Sequence, residues 1–229
     1  MANRTDTSTK RREPLTRERV LLAAVARADK GGVEALSMRP LAEELGVVPM
    51  ALYKHLANKE ELLDAMVDAV MGEVNDVVSQ IDARSQAWKP AVRRRILRAR
   101  EVFLRHPWAP GLMVLRTTMT PAVLRYFDSL TGIFRGAGFS IDLTHHAMHA
   151  LGSRALGFTQ ELYDDSGELD ADAMAMLEQM AVDYPHIAEM VTGIAHDADT
   201  TLGWCDDQVE FEFALDLILD GLERLRQTT

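Results

Sequence analysis

Apolar residues recur at three- and four-residue intervals along nearly the whole chain, the spacing of one face of an α-helix. In TRERVLLAAVARADKGG the set Leu21, Ala24, Val25 and Ala28 falls on one side, and Gly31–Gly32 marks the helix end. No stretch alternates apolar and polar residues between hairpin turns, so strands are not expected. Proline and glycine stand between the periodic segments, as at Pro40, Gly46, Pro49, Pro90, Pro107, Pro121, Gly136 and Pro185. Thr120–Pro121 reads as an N-cap followed by a proline at the first helical position, and Asn58 with Glu61 as a capping box. The pattern predicts an all-α protein of roughly nine or ten helices.

Charge divides this helical chain. The 229 residues carry a formal charge of −10, which on average opposes a nucleic-acid partner. Residues 1–60, however, hold 11 Lys/Arg against 8 Asp/Glu, whereas residues 61–229 hold 14 against 27. A basic module joined to an acidic body is the natural reading, with the boundary inside a helix around residues 60–75. Residues 1–14, with Lys10, Arg11 and Arg12 together, are expected to form a disordered basic arm. The first residues lack the apolar run of a secretory signal, and no run reaches the roughly 18 apolar residues of a membrane span. With a single cysteine, Cys205, a cytoplasmic protein is expected.

Residues 37–62, SMRPLAEELGVVPMALYKHLANKEEL, carry the functional signal. Ser37 caps a short helix with Leu41, Ala42 and Leu45 on its apolar face, Gly46 supplies the turn, and Pro49 opens a second helix anchored by Leu52. The recognition helix is expected over roughly Pro49–Leu56, a helix-turn-helix whose second helix lies in the major groove. Met50, Ala51, Lys54 and His55 then point outward. Tyr53, Lys54 and Lys59 are placed for phosphates, Arg39 for a guanine edge, and Met50 and Ala51 for a thymine methyl. The alternative is a helical hairpin with a solvated face.

Residues 15–70 resemble the DNA-binding domain of the TetR family of bacterial transcriptional repressors. The resemblance rests on Leu41–Ala42, Gly46–Val47, Leu52–Tyr53, His55, Asn58–Lys59–Glu60 and Leu62–Leu63. It implies a helix-turn-helix domain over 15–68 and a helical ligand-binding and dimerisation domain over 69–229. It also implies a homodimer on a pseudo-palindromic operator, released when a small effector changes the spacing of the two recognition helices. In the family, residues at the places of Tyr53 and Lys59 touch phosphates, and the place of Arg39 often reads a base. Val48 departs from the usual polar cap, Pro49 and Met50 from the usual polar readers, and Leu56 from Phe or Val. Specificity then leans on Arg39, Lys54, methyl contacts and DNA shape. An effector-independent DNA binder whose C-terminal domain only dimerises is the other reading.

The acidic body is less explicit. No Lys or Arg occurs from Ala155 to Glu223, which reads as a solubilising surface that DNA repels. Phe211, Leu215, Ile218, Leu222 and Leu225 recur at heptad-like spacing, and Ala147, Leu151, Ala155 and Phe158 share a side of an earlier helix. The family resemblance implies that these helices build the dimer interface, so Leu151, Phe158, Phe211, Leu215, Ile218 and Leu222 are expected there, with intrachain core as the alternative. Phe103, Trp108, Met113, Arg116, Met148, His149 and Phe158 are candidate effector contacts, Arg116 for an anionic group; each also suits ordinary packing. The crowded arginines 93, 94, 95, 98, 100 and 105 read as a solvated face or as partners of the acidic helices. His145 and His149 share a helix face, but HHAMH lacks the glutamate of an H-E-x-x-H site, so no metal and no cofactor is expected. Neither G-x-S-x-G nor CxxC occurs, and no nucleophile–base constellation suggests an enzyme.

Overall fold

The computed structural model describes residues 14–81, 87–116, 119–157 and 207–228, with a few isolated positions between 179 and 189. Phe158, Leu162, Cys205, most of the basic arm and the acidic stretches 164–172 and 197–206 lie outside the described residues. Among the described residues the structure is all-α: α1 (Arg17–Gly31), α2 (Met38–Leu45), α3 (Pro49–Leu52), α4 (Lys59–Ser79), α5 (Trp88–Arg105), α6 (Trp108–Leu115), α7 (Pro121–Gly136), α8 (Ile141–Gly157) and α9 (Asp207–Thr228). They belong to two compact units. The first takes the chain up to Gln86 with Arg94–Gly132, and the second takes Ala87–Arg93 with Ile133–Thr229.

In the first unit, local chemistry sets the helix ends. Thr16 Oγ1 accepts from Arg19 N at 3.1 Å and starts α1. Asn58 Oδ1 accepts from Glu61 N at 2.8 Å, and Glu61 Oε2 accepts from Ala57 N at 2.7 Å, so the expected box closes one residue early. Ser37 has extended N-cap geometry but makes no side-chain cap bond. Gly46 adopts φ 69° and ψ 32°, the left-handed conformation that a side chain disfavours, and its N–H closes α2 on Ala42 and Glu43. Val20, Ala24, Val25 and Ala28 of α1 are buried with Leu36, Leu41, Leu52 and Leu56; Leu21, expected on that face, is half-buried beside it.

α4, 21 residues long, is the helix to which α1, α5, α6 and α7 attach. Its buried side includes Leu62, Met66, Val70, Met71 and Val74, and it packs on α1 and α6. A line of carboxylates on the same helix holds α5, α6 and α7. Glu60 and Asp64 take the Arg116 guanidinium at the end of α6, with Arg116 Nη1 2.9 Å from Glu60 Oε2. Asp68 Oδ1 accepts from Ala122 N at the start of α7 at 2.9 Å, and Asn75 Nδ2 donates to Ala122 O at 2.9 Å. Glu73 meets Arg105 at 3.2 Å and His106 Nε2 at 3.4 Å. The other nitrogen of that buried imidazole lies 2.8 Å from Asp29 Oδ1 of α1, which also accepts from Trp108 Nε1 at 2.7 Å.

In the second unit, Trp88, Phe134 and Phe139 form an aromatic cluster with ring centroids 4.8 to 5.7 Å apart. Trp88 Nε1 donates to Glu223 Oε2 of α9 at 2.7 Å, Lys89 pairs with Asp220, and Arg93 reaches Asp216 at 2.7 Å and Glu212 at 2.6 Å. One face of α5 is thus matched to successive acidic turns of α9. Hydrogen bonds from Arg93, first to Asp216 and then to Glu212, raise its guanidinium's proton affinity further.

The expected dimer seam needs correction. Phe211, Leu215 and Leu222 of α9 and Leu151 of α8 are buried within one chain, in line with the packing of α8 on α9, and Ile218 is half-buried. α9 carries a second apolar line at four-residue spacing, and this one faces outward. Val209, Phe213, Leu217 and Leu225 are 53 to 61% exposed, with Gly221 in the gap. Of the heptad-like set, Phe211, Leu215 and Leu222 serve the chain's own core, while Leu225 falls on the outward line.

Two outcomes follow from these contacts. Asp68→Ala should cost about 1 kcal/mol, the size of a lost helix cap, while Asp68→Asn, which keeps an acceptor oxygen, should cost less; urea midpoints measure both. The Glu223 carboxyl is held down to about 2, first by Arg226 and then by Gln227 and Trp88. A depressed carboxyl contributes its stabilisation fully above the ordinary carboxylate range and loses it as pH falls towards about 2. An acid titration of the near-ultraviolet circular dichroism should show that loss in the wild-type chain and not in Glu223→Gln.

Candidate nucleic-acid interface and effector region

The helix-turn-helix is built around two anchors. Leu52 and Leu56 are buried, which fixes one side of α3 against its own domain and leaves the opposite side outward. Burying a leucine contributes about 2 kcal/mol, so each anchor holds this short element in one rotation. α3 itself is a single turn, Pro49–Leu52, shorter than the expected helix to Leu56. The chain continues in tighter turns, with His55 N and Leu56 N donating to Leu52 O at 2.9 and 3.1 Å. Val48 starts the turn with no side-chain cap, and Pro49 at the first helical position removes one of the N–H groups the turn would otherwise leave unpaired.

The outward side collects most of the expected contact residues. Val48 and Met50 are 68 and 71% exposed, apolar side chains held in water. Pro49, Tyr53 and Lys54 are exposed beside them, and Ala51 and His55 are half-exposed. Lys59 is exposed at the first turn of α4. Arg39, on the first turn of α2, is exposed and lies 3.6 Å from Glu43, a weak surface pair that leaves its fork free to turn toward a base. Arg17–Glu61 and Arg27–Glu44, at 3.5 and 3.4 Å, link α1 to the neighbouring helices. A surface of methyl groups, a phenol and cations suits phosphates and base edges more than it suits water alone.

The expected effector residues divide between the two units. Phe103 and Trp108 are buried and Met113 is half-buried, all in the first unit. Met148 is half-buried and His149 exposed in the second unit, the latter's ring stacked edge-on against His145 at 4.5 Å. The indole N–H of Trp108 is committed to Asp29. Arg116 is committed to Asp64 and Glu60, whose bonds raise its proton affinity, so it does not offer the anion contact expected of it. Among the described residues no three His, Cys, Asp or Glu side chains gather as a metal site. A surface groove lined by Leu21, Leu22, Val25 and Ala69 includes none of these residues.

One of the crowded arginines is neither on a solvated face nor paired with an acidic helix. Arg95 is buried on α5 while Arg93, Arg98 and Arg105 of that helix meet carboxylates. The signal was its place in the apolar series Ala91, Arg95, Ala99 and Val102, a position from which an arginine cannot reach water.

An all-α chain with an outward recognition turn and a second helical region is a helix-turn-helix DNA-binding protein, and the relatives agree. Residues 20–66 match the bacterial regulatory proteins described as the tetR family, and residues 82–226 match the tetracyclin repressor-like C-terminal domain. The HTH-type transcriptional repressor DrrR1 of Streptomyces coeruleorubidus is 30% identical over 92% of this chain and 78% of its own length. A solved structure from Streptomyces coelicolor A3(2) superposes with a TM-score of 0.72 at 28% identity, covering 91% of this chain and 99% of the other. The TetR family protein ActR of Streptomyces coelicolor, solved in complex with (S)-DNPA, gives a TM-score of 0.66 at 25% identity, covering 92% and 98%. The chain belongs to the TetR family of bacterial transcriptional regulators. Members of that family bind operator DNA as dimers and carry a C-terminal domain for small-molecule effectors. No described helix is long and apolar enough to cross a membrane.

The exposed cations make a direct check. Lys54→Ala and Lys59→Ala should each weaken DNA binding and flatten the plot of log affinity against log salt by about one unit or less per lost phosphate contact. Arg39→Ala should relax preference at one operator position, at a cost of about 1–3 kcal/mol for the matched base. Titrations against operator variants at several salt concentrations separate the two kinds of contact.

Proposed function

We propose that this chain represses transcription from a pseudo-palindromic operator, bound as a homodimer, and leaves the DNA when a small, mainly apolar effector occupies its C-terminal domain. Residues 15–68 read DNA and residues 69–229 sense and dimerise. The observation that carries the reading is the outward side of α3 and its flanks. Val48 and Met50 are held open to water beside Tyr53 and Lys54, while Leu52 and Leu56 anchor the turn from behind. That exposure has a use when the surface meets thymine methyls and phosphates. DrrR1 is named a transcriptional repressor and ActR was solved with a small molecule, which supports repression and effector sensing here. The outward line of α9, Phe213, Leu217 and Leu225, is the surface a second copy would cover. The protein acts by binding, without catalysis, in the cytoplasm where its operator lies.

Release requires that the effector favour the arrangement that cannot span both half-sites. The test is a thermal melt of the full-length protein against a diverse small-molecule panel, followed by DNA release with each hit. A compound at 100 times its dissociation constant stabilises by about 2.7 kcal/mol, a shift of several degrees. Hits that also release DNA are the expected result. Hits that leave DNA bound would make the C-terminal domain a dimerisation module with a silent pocket.

A further inference from the structure

Arg95 is 6% exposed. Its Nη1 donates to Val78 O at 3.2 Å and its Nη2 to Ser129 Oγ at 2.5 Å, while its Nε is buried with no hydrogen-bond partner. The Ser129 hydroxyl proton is already spent on Tyr126 O at 2.8 Å. Among the described residues no carboxylate meets this guanidinium. Tyr126 interacts with it, but loss of hydration pushes that phenol up to about 12, so it stays neutral and cancels no charge. Loss of hydration also lowers the arginine's own proton affinity, the mark of a cation held away from water without a counter-charge. Buried charges are ordinarily paired. The two acceptors Arg95 does have, a carbonyl near the C-terminal end of α4 and a serine on α7, are neutral.

We propose that Arg95 is the recognition point for an anionic group on the effector, a carboxylate or an ionised acidic enol borne on an otherwise apolar ring system. This rests on the effector-sensing reading above and assigns its ligand a charge. The planar fork offers an N–H not yet used and a full positive charge, the geometry that takes an oxyanion in a charge-assisted bond. It replaces the assignment of that role to Arg116, whose charge Asp64 and Glu60 already answer. The site joins α4, α5 and α7, so an anion drawn to Arg95 competes with the bonds that tie α5 to Val78 and Ser129. Displacing those bonds links occupancy to the lower end of α4, the helix that begins beside the recognition turn.

The experiment uses the full-length protein with aromatic acids and their neutral primary amides: salicylate with salicylamide, naphthoate with naphthamide, and anthracene carboxylate with its amide. Binding is followed by thermal shift at millimolar concentration and by calorimetry. For at least one pair the acid should bind wild type about tenfold tighter than the amide, the scale of one charge-assisted hydrogen bond. The preference should vanish in Arg95→Gln and persist in Arg95→Lys, which keeps the charge. Acid preference that survives in Arg95→Gln, equal binding of acids and amides, or no binding by any acid would each overturn the proposal. Ligand-free Arg95→Gln should melt close to wild type, since it removes an uncompensated charge along with two hydrogen bonds; a collapse of its melting point would show Arg95 to be a structural cap of α4 and overturn it too. DNA release is scored separately. Acid binding that depends on Arg95 but leaves DNA affinity unchanged would keep the anion site and count against the sensing reading.

Discussion

The first unit depends on one acidic line along α4. Glu60, Asp64, Asp68 and Glu73 leave that helix at successive turns: the first two meet Arg116 at the end of α6, Asp68 the start of α7 and Glu73 the end of α5. Without these contacts α4 would be a long helix with a buried apolar side and nothing to fix its register against its neighbours. Apolar packing tolerates a helix sliding by part of a turn, whereas a carboxylate aimed at one N–H or one guanidinium does not. The same helix begins next to the recognition turn, so the bonds that set its register also set where that turn is presented.

Positive charge is allotted with equal economy. Along α5 each arginine with a described ionic partner reaches a particular acid: Arg93 those of α9, Arg98 its neighbour Glu101, and Arg105 that of α4. The net charge of −10 therefore understates how much of the chain is paired internally. Against that background Arg95 stands out by having neutral acceptors only.

Much of this could be read from the residues, for identifiable reasons. Gly46, Pro49 and the Asn58–Glu61 pair have one conformational use each, so the turn and both flanking helix starts were legible. The length of the recognition helix was not, because Tyr53, Lys54 and His55 have no preference strong enough to separate a helix from a tightening turn. Periodicity marked one apolar seam on α9 but could not say whether it meets the same chain or a second copy; that depends on α8, far away in sequence. Arg95 was hidden for the opposite reason. In a cluster of six arginines composition argues for solvent, and only the helical position of that one residue argues against it.

If a second copy covers the outward apolar line of α9, as proposed, that line ties the protein's survival to its abundance. Phe213, Leu217 and Leu225 in water are a standing cost to a solitary chain, and association would remove it, so stability rises with concentration by mass action. A cell holding few copies would keep more of them unpaired, less stable and more open to proteolysis. Occupancy of a two-fold operator would then fall faster than in proportion to copy number. A single stripe of side chains would in this way sharpen the response of the regulated gene to how much regulator the cell has made.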